Sequence, residues 1–116
     1  MDPLKRLKTN DSAYKVLLAW EELRNLDREI PGQVVSMFFY IASHNPCHKQ
    51  AIEEDLQFTT ASGSRNLQWL TDTNRLGKPG LGLVEKFTEK GSRRIVCRLS
   101  PKGKQFVDNF LSVLYE

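Results

Sequence analysis

The chain has 116 residues, 40% hydrophobic and 27% charged, a length and balance that suit one modest core and a single domain over residues 1–116. Its longest apolar run, VVSMFFYIA at residues 34–42, is about half of the ~20 residues a membrane-crossing helix needs. The N-terminal MDPLKRLKTNDS is too polar for a secretory leader, and Cys47 and Cys97 are the only cysteines, so a reduced, cytoplasmic protein without membrane contact is expected. A net charge of +3 permits a nucleic-acid partner without requiring one. Its distribution says more: acids gather early, in EELRNLDRE and EED, and cations later, in RNLQWLTDTNRLGK and EKGSRRIVCR.

In chain order, Asn10 to Ser12 offer capping side chains for a helix over Ala13 to about Asp27. Ala13, Tyr14, Val16, Leu17, Leu18, Ala19, Trp20, Leu23 and Leu26 cover more than one stripe of that helix. A helix apolar nearly all round needs cover on two sides, either from the rest of its own fold or from a second copy of the chain. The next helix opens at Pro31 and closes at Asn45, before Pro46. Val34, Val35, Phe38, Phe39 and Ala42 recur on it at helical spacing, with Ile41 widening the face, so it belongs to the core.

Two short helical segments follow. HKQAIEEDLQF turns Ile52, Leu56 and Phe58 inward; TTASGSRNLQWLTD begins with threonines able to cap and turns Leu67 and Leu70 inward. Their connection is short, as in a helix-turn-helix. The outward face of the second segment is expected to show Thr60, Ala61, Ser62, Ser64, Arg65 and Asn66, groups able to reach base edges and phosphates in a major groove. Glycine at 63 costs the helix about 1 kcal/mol against alanine, which implies either a close backbone approach or a weak first turn. Trp69 stands four residues after Arg65, where an indole can carry a guanidinium or join the core; large aromatic faces are rarely left in water, which favours the core.

Beyond a flexible Gly/Pro link, RLGKPGLG, the runs Leu83–Phe87 and Ile95–Leu99 alternate apolar and polar residues as half-buried strands do. They form a hairpin whose tip is polar, with Lys90, Ser92, Arg93 and Arg94 at or beside it. Two adjacent guanidinium groups at the base of an exposed loop suit phosphates or a narrow groove; charge on a sheet edge also serves solubility. Ser100 and Pro101 then cap and open a last helix, whose stripe is Phe106, Val107, Phe110, Leu111 and Leu114, with Tyr115 beside it.

Little here suggests catalysis. His44, Cys47 and His48 lie close together, but Pro46 interrupts them and no adjacent fourth residue completes a closed zinc set, so neither metal nor cofactor is expected. Cys47 and Cys97 read as structural thiols. The EED cluster at Glu53–Asp55 reads as a solvated face. No phosphate-binding glycine loop is present, nor a nucleophile with an evident base, so an enzyme is not expected.

From Ile30 to Phe110 the order of elements resembles that of the MarR (multiple-antibiotic-resistance regulator) family of transcription factors. The resemblance rests on IPGQ opening a helix, on IEEDLQFTTASGSRNL in place of the two helix-turn-helix helices, and on GLVEKF and RRIVCRLSPKG in place of the wing. It implies an α+β, mainly helical fold: a winged helix-turn-helix with a two-stranded hairpin wing. The DNA-binding core would span about 30–100, with helices at 11–28 and 101–116 flanking it for dimerisation through Tyr14, Leu17, Leu18, Phe106, Phe110 and Leu114. Arg93 falls on the family's wing arginine, whereas Gly91 stands where the family carries an aspartate that pairs with it. Gly63 replaces a residue that is usually small or branched and apolar, NRLGKPGLG is longer than the usual link into the wing, and the flanking helices are shorter.

The implied function is a sequence-specific, double-stranded DNA-binding regulator acting as a homodimer on a pseudopalindrome. The alternative is a winged-helix module that binds a protein such as RNA polymerase, with DNA as an accessory contact. A shortened dimer region leaves little room for a small-molecule effector, and so compact a form would suit a phage or mobile-element protein.

Overall fold

A computed structural model of the chain describes residues 6–72 and 79–116. The first helix, α1 (Asp11–Leu26), starts where Asn10 accepts the Ala13 N–H on its side chain at 2.9 Å. Helix α2 (Gly32–Ser43) begins after Pro31 and stops two residues short of the expected Asn45. The residue before a proline is pushed out of the helical region, and Asn45 instead uses its side-chain oxygen to accept the Leu99 N–H at 2.9 Å.

Next come strand β1 (Cys47–His48) and helix α3 (Lys49–Leu56). Gln57, in the left-handed region at φ 59°, closes α3, and the Phe58 N–H returns to the Glu53 carbonyl. Thr59 then caps helix α4 (Thr60–Leu70), its hydroxyl accepting the Ser62 N–H at 3.0 Å. Gln57, Phe58 and Thr59 are thus the turn of a helix-turn-helix. The Gly/Pro link expected from Arg75 lies outside the described residues as far as Lys78. After it, Leu81 and Leu83 donate their N–H groups to Trp69 and Leu70, laying the chain along the end of α4.

Strands β2 (Val84–Thr88) and β3 (Ile95–Leu99) form the expected hairpin, with Val84 opposite Leu99 and Thr88 opposite Ile95. The sheet has a third strand beyond the expected hairpin. β1 pairs antiparallel with β3, Cys47 opposite Cys97, so the order is β1-β3-β2. The last helix, α5 (Pro101–Tyr115), is capped by Ser100, whose hydroxyl accepts the Gly103 N–H and donates to the Gly82 carbonyl. Gly103 is required there, because a Cβ would meet the Leu83 carbonyl.

The core is built around α2. Val34, Met37, Phe38 and Ile41 pack with Ile52, Leu67, Leu70, Leu83, Val84, Cys97 and Leu99. Helix α5 closes one end of it through Phe106, edge-on to Phe38 with ring centres 5.7 Å apart, and through Phe110, 4.8 Å from Phe39. Helix α1 packs on α5 and buries only Ala19 and Leu23. No described helix is long and apolar enough to cross a membrane.

Candidate nucleic-acid interface

The turn after α3 aims the first turn of α4 outward beside the hairpin. Thr60, Ala61, Ser64 and Arg65 are exposed there and Ser62 is half-buried. Of these, Thr60 faces Arg93 and Arg94. An open groove of about 400 Å³ runs between them, lined by Thr60, Arg93, Arg94, His48, Gln50 and Ile95, with Lys49 and Glu53 in its floor. Residues 92–94 precede the regular part of β3, and Ser92 accepts the Arg94 N–H on its hydroxyl at 3.0 Å. Because strand alternation has not yet begun, both arginines line the same groove. Lys90, at the tip, is exposed but does not line it, and neither do Ala61, Ser62, Ser64, Arg65 or Ser92.

Asn66 does not belong to this face. It is 6% exposed, and its amide donates to Gln33 of α2 at 3.0 Å. Helical spacing places it at the rim of α4; a partner 33 residues away decides its direction. Trp69 is half-buried against the core. The cation–π contacts among the described residues are Lys8 over Tyr14 and Arg98 over Phe87, so Arg65 is not carried by the indole. It is held by Ser62, whose hydroxyl accepts from Arg65 Nη2 at 3.0 Å.

Glu53 is a second correction. The EED run implies a solvated face for all three acids, and Glu54 and Asp55 are exposed. Glu53 instead points across to α4, pairs with Lys49, which is 6% exposed, and fills the notch left by Gly63. A Cβ at 63 would run into its carboxylate. The glycine therefore marks a close approach between the helices, and the approach is by a side chain.

Three arginines of α4 and the wing take no part in the ion pairs found among the described residues, as is also true of Arg28 and several surface lysines elsewhere. Among the described residues the pairs are Arg24–Glu21, Lys49–Glu53, Arg98–Glu85 and a 3.9 Å contact of His48 with Glu89. Arg65, Arg93 and Arg94 are in none of them. Such cations keep their full charge for a polyanion. Behind the wing, burial pushes the Cys97 thiol up to about 12 and raises that of Cys47 as well, so both stay protonated and unreactive at neutral pH.

The flanking helices differ in part from expectation. Leu17 is exposed, Tyr14, Leu18 and Leu114 are half-buried, and Phe106 and Phe110 stack on the aromatic residues of their own α2. The α5 residues left outside are Leu111 and Tyr115. On α1, Val16 (54% exposed) and Trp20 (44%) join Leu17.

A helix-turn-helix followed by a protruding hairpin, with short β1 on the sheet's far side, is a winged-helix fold. No protein-family model and no curated protein sequence matches the chain. Among solved structures it is similar to a MarR transcriptional regulator from Methanosarcina mazei Go1, at 14% identity and a TM-score of 0.63 over 87% of this chain. It is also similar to RV1404 from Mycobacterium tuberculosis, at 16% identity and a TM-score of 0.67, covering 97% of this chain and 78% of that one. A third is reduced AbfR bound to DNA, at 19% identity and a TM-score of 0.62, covering 89% and 69%. The chain spans 61% of the length of the Methanosarcina regulator. The fold is thus the winged helix-turn-helix of the MarR regulators, as the sequence resemblance implies.

Proposed function

We propose that the chain is a sequence-specific, double-stranded DNA-binding transcriptional regulator that acts in the cytoplasm as a homodimer on a pseudopalindromic site, with no catalytic activity and no cofactor. The observation that carries this reading is the groove between Thr60 in the first turn of α4 and the base of the wing, with Arg93 and Arg94 in no carboxylate pair among the described residues. In this reading α4 enters the major groove and offers Thr60, Ala61, Ser62, Ser64 and Arg65 to bases and adjacent phosphates. Lys90, Ser92, Arg93 and Arg94 follow the backbone or a neighbouring minor groove. Asn66 stays with Gln33. Reduced and overoxidised AbfR, of like fold, are each solved bound to DNA.

Residues 30–100 would form the DNA-binding unit, and 11–28 and 101–116 the dimer. Support for the second copy comes from α1, where Ala13, Val16, Leu17 and Trp20 repeat at i, i+3, i+4 and i+7 beside the buried Ala19 and Leu23. Leu111 and Tyr115 of α5 extend the exposed apolar surface, and a two-fold axis through it would set half-sites about one helical turn, ~34 Å, apart.

A mobility-shift selection from a random duplex library at two salt concentrations tests this. Enrichment of a pseudopalindrome is the expected result. Failure to bind any duplex, with capture of purified RNA polymerase instead, would establish the protein-interaction alternative.

A further inference from the structure

We propose that Ser62 is a positioning residue: it holds the Arg65 guanidinium so that one edge is presented to guanine. This rests on the DNA-reading function of α4 and assigns Ser62 a role through Arg65 in place of its own base contact. Three observations lead there. Arg65 is exposed and in none of the carboxylate pairs among the described residues. Its Nη2 donates to Ser62 Oγ, one turn earlier, at 3.0 Å. Ser62 is itself fixed, half-buried and with its backbone N–H capped by Thr59.

The chemistry of the fork gives the tether its consequence. A guanidinium has two edges able to make paired hydrogen bonds to guanine O6 and N7, one formed by Nε and Nη2 and the other by Nη1 and Nη2. Each hydrogen of Nη2 belongs to one edge. The bond to Ser62 uses one hydrogen and therefore one edge, and leaves the other complete. A free arginine chooses between edges and among many rotamers, with about 2 kcal/mol of side-chain entropy to lose. The tethered one has lost part of that freedom before DNA arrives, as preorganised groups do. The bond is solvent-exposed, so its effect is that of one modest hydrogen bond.

The test uses full-length Ser62→Ala, Ser62→Thr, Arg65→Ala and the double variant. Each is titrated against the duplex that the parent enriches from a random library, against that duplex with each guanine replaced in turn, and against a scrambled duplex. Ser62→Ala should lower discrimination at the one guanine that Arg65→Ala affects, by about three- to tenfold. The thermal midpoint should stay as in the parent, and any loss on the scrambled duplex should be smaller than the loss of discrimination. Ser62→Thr, which keeps the hydroxyl, should restore discrimination. In the Arg65→Ala background, Ser62→Ala should have no further effect.

If Ser62→Ala leaves discrimination intact where Arg65→Ala abolishes it, or if it acts equally with and without Arg65, the positioning role is wrong and Ser62 is either idle or a direct contact. If the parent enriches no duplex, the DNA reading beneath it has failed instead. If Arg65→Ala costs nothing at any guanine, α4 reads by other residues and the inference falls with that assignment.

Discussion

Helices α1 and α4 begin in the same way, with a side-chain oxygen on the residue before the helix accepting a backbone N–H, and then treat water in opposite ways. The outward stripe of α1 is Val16, Leu17 and Trp20; that of α4 is Thr60, Ala61, Ser64 and Arg65. Both faces are open to solvent in the single chain. Apolar side chains on α1 are stabilised by leaving water, whereas arginines without carboxylates gain by releasing counterions from a polyanion. The two faces therefore ask for chemically different partners, and mutations at one should be nearly silent at the other.

Charging the apolar face should have the largest effect. Leu17→Glu with Trp20→Glu would set four carboxylates against one another across a two-fold interface, where like-charge contacts cost several kcal/mol. We expect the dimer to weaken at least ~100-fold by sedimentation. Half-site binding should survive and cooperative binding to the full palindrome should be lost. If the double variant sediments as the parent does, the α1 stripe is not the interface.

On the polar face, Arg65→Ala should cost about 1–3 kcal/mol on the selected duplex if it contacts guanine bidentately. The loss should be confined to one position and leave the sedimentation unchanged. Arg93→Ala should behave differently: specific and scrambled duplexes should weaken together, by a smaller amount, and the salt slope should fall by about one unit per lost phosphate contact. A base-specific loss from Arg93→Ala would exchange the roles of wing and helix.

What could be read from the sequence divides along a physical line. Features that depend on neighbours in the chain were legible. Asn10, Thr59 and Ser100 cap the helices they precede, Pro101 opens α5, and alternation located β2 and β3 to within a residue. Features fixed by distant partners were not. β1 has only Cys47 and His48, too short for a period, and exists because β3 lies beside it. Asn66 needed Gln33 to settle its direction. Phe106 and Phe110 fit any apolar stripe until the rings of Phe38 and Phe39 claim them. The candidate groove was legible as two patches, one on α4 and one on the wing; their convergence with the N-terminal end of α3 was not.

The smallest effect expected is at Gly63, and it tests whether the polar face of α4 is held by something the apolar face of α1 lacks. Alanine should favour the helix by about 1 kcal/mol over glycine through propensity alone. Against that, its Cβ would strike the Glu53 side chain, including Cγ as well as the carboxylate, and overpacking of this kind costs about 1–3 kcal/mol. Glu53 cannot swing away freely, because Lys49 is buried and would lose its partner. Gly63→Ala should therefore be destabilising by about 1 kcal/mol net in denaturant unfolding, the clash outweighing the propensity gain. In a Glu53→Ala background, itself less stable because Lys49 is left unpaired, the clash is gone and the sign should reverse, with Gly63→Ala now stabilising by up to ~1 kcal/mol. A Gly63→Ala change that stabilises both backgrounds equally would mean that Glu53 yields without cost, and that the notch does not set how closely α3 and α4 approach.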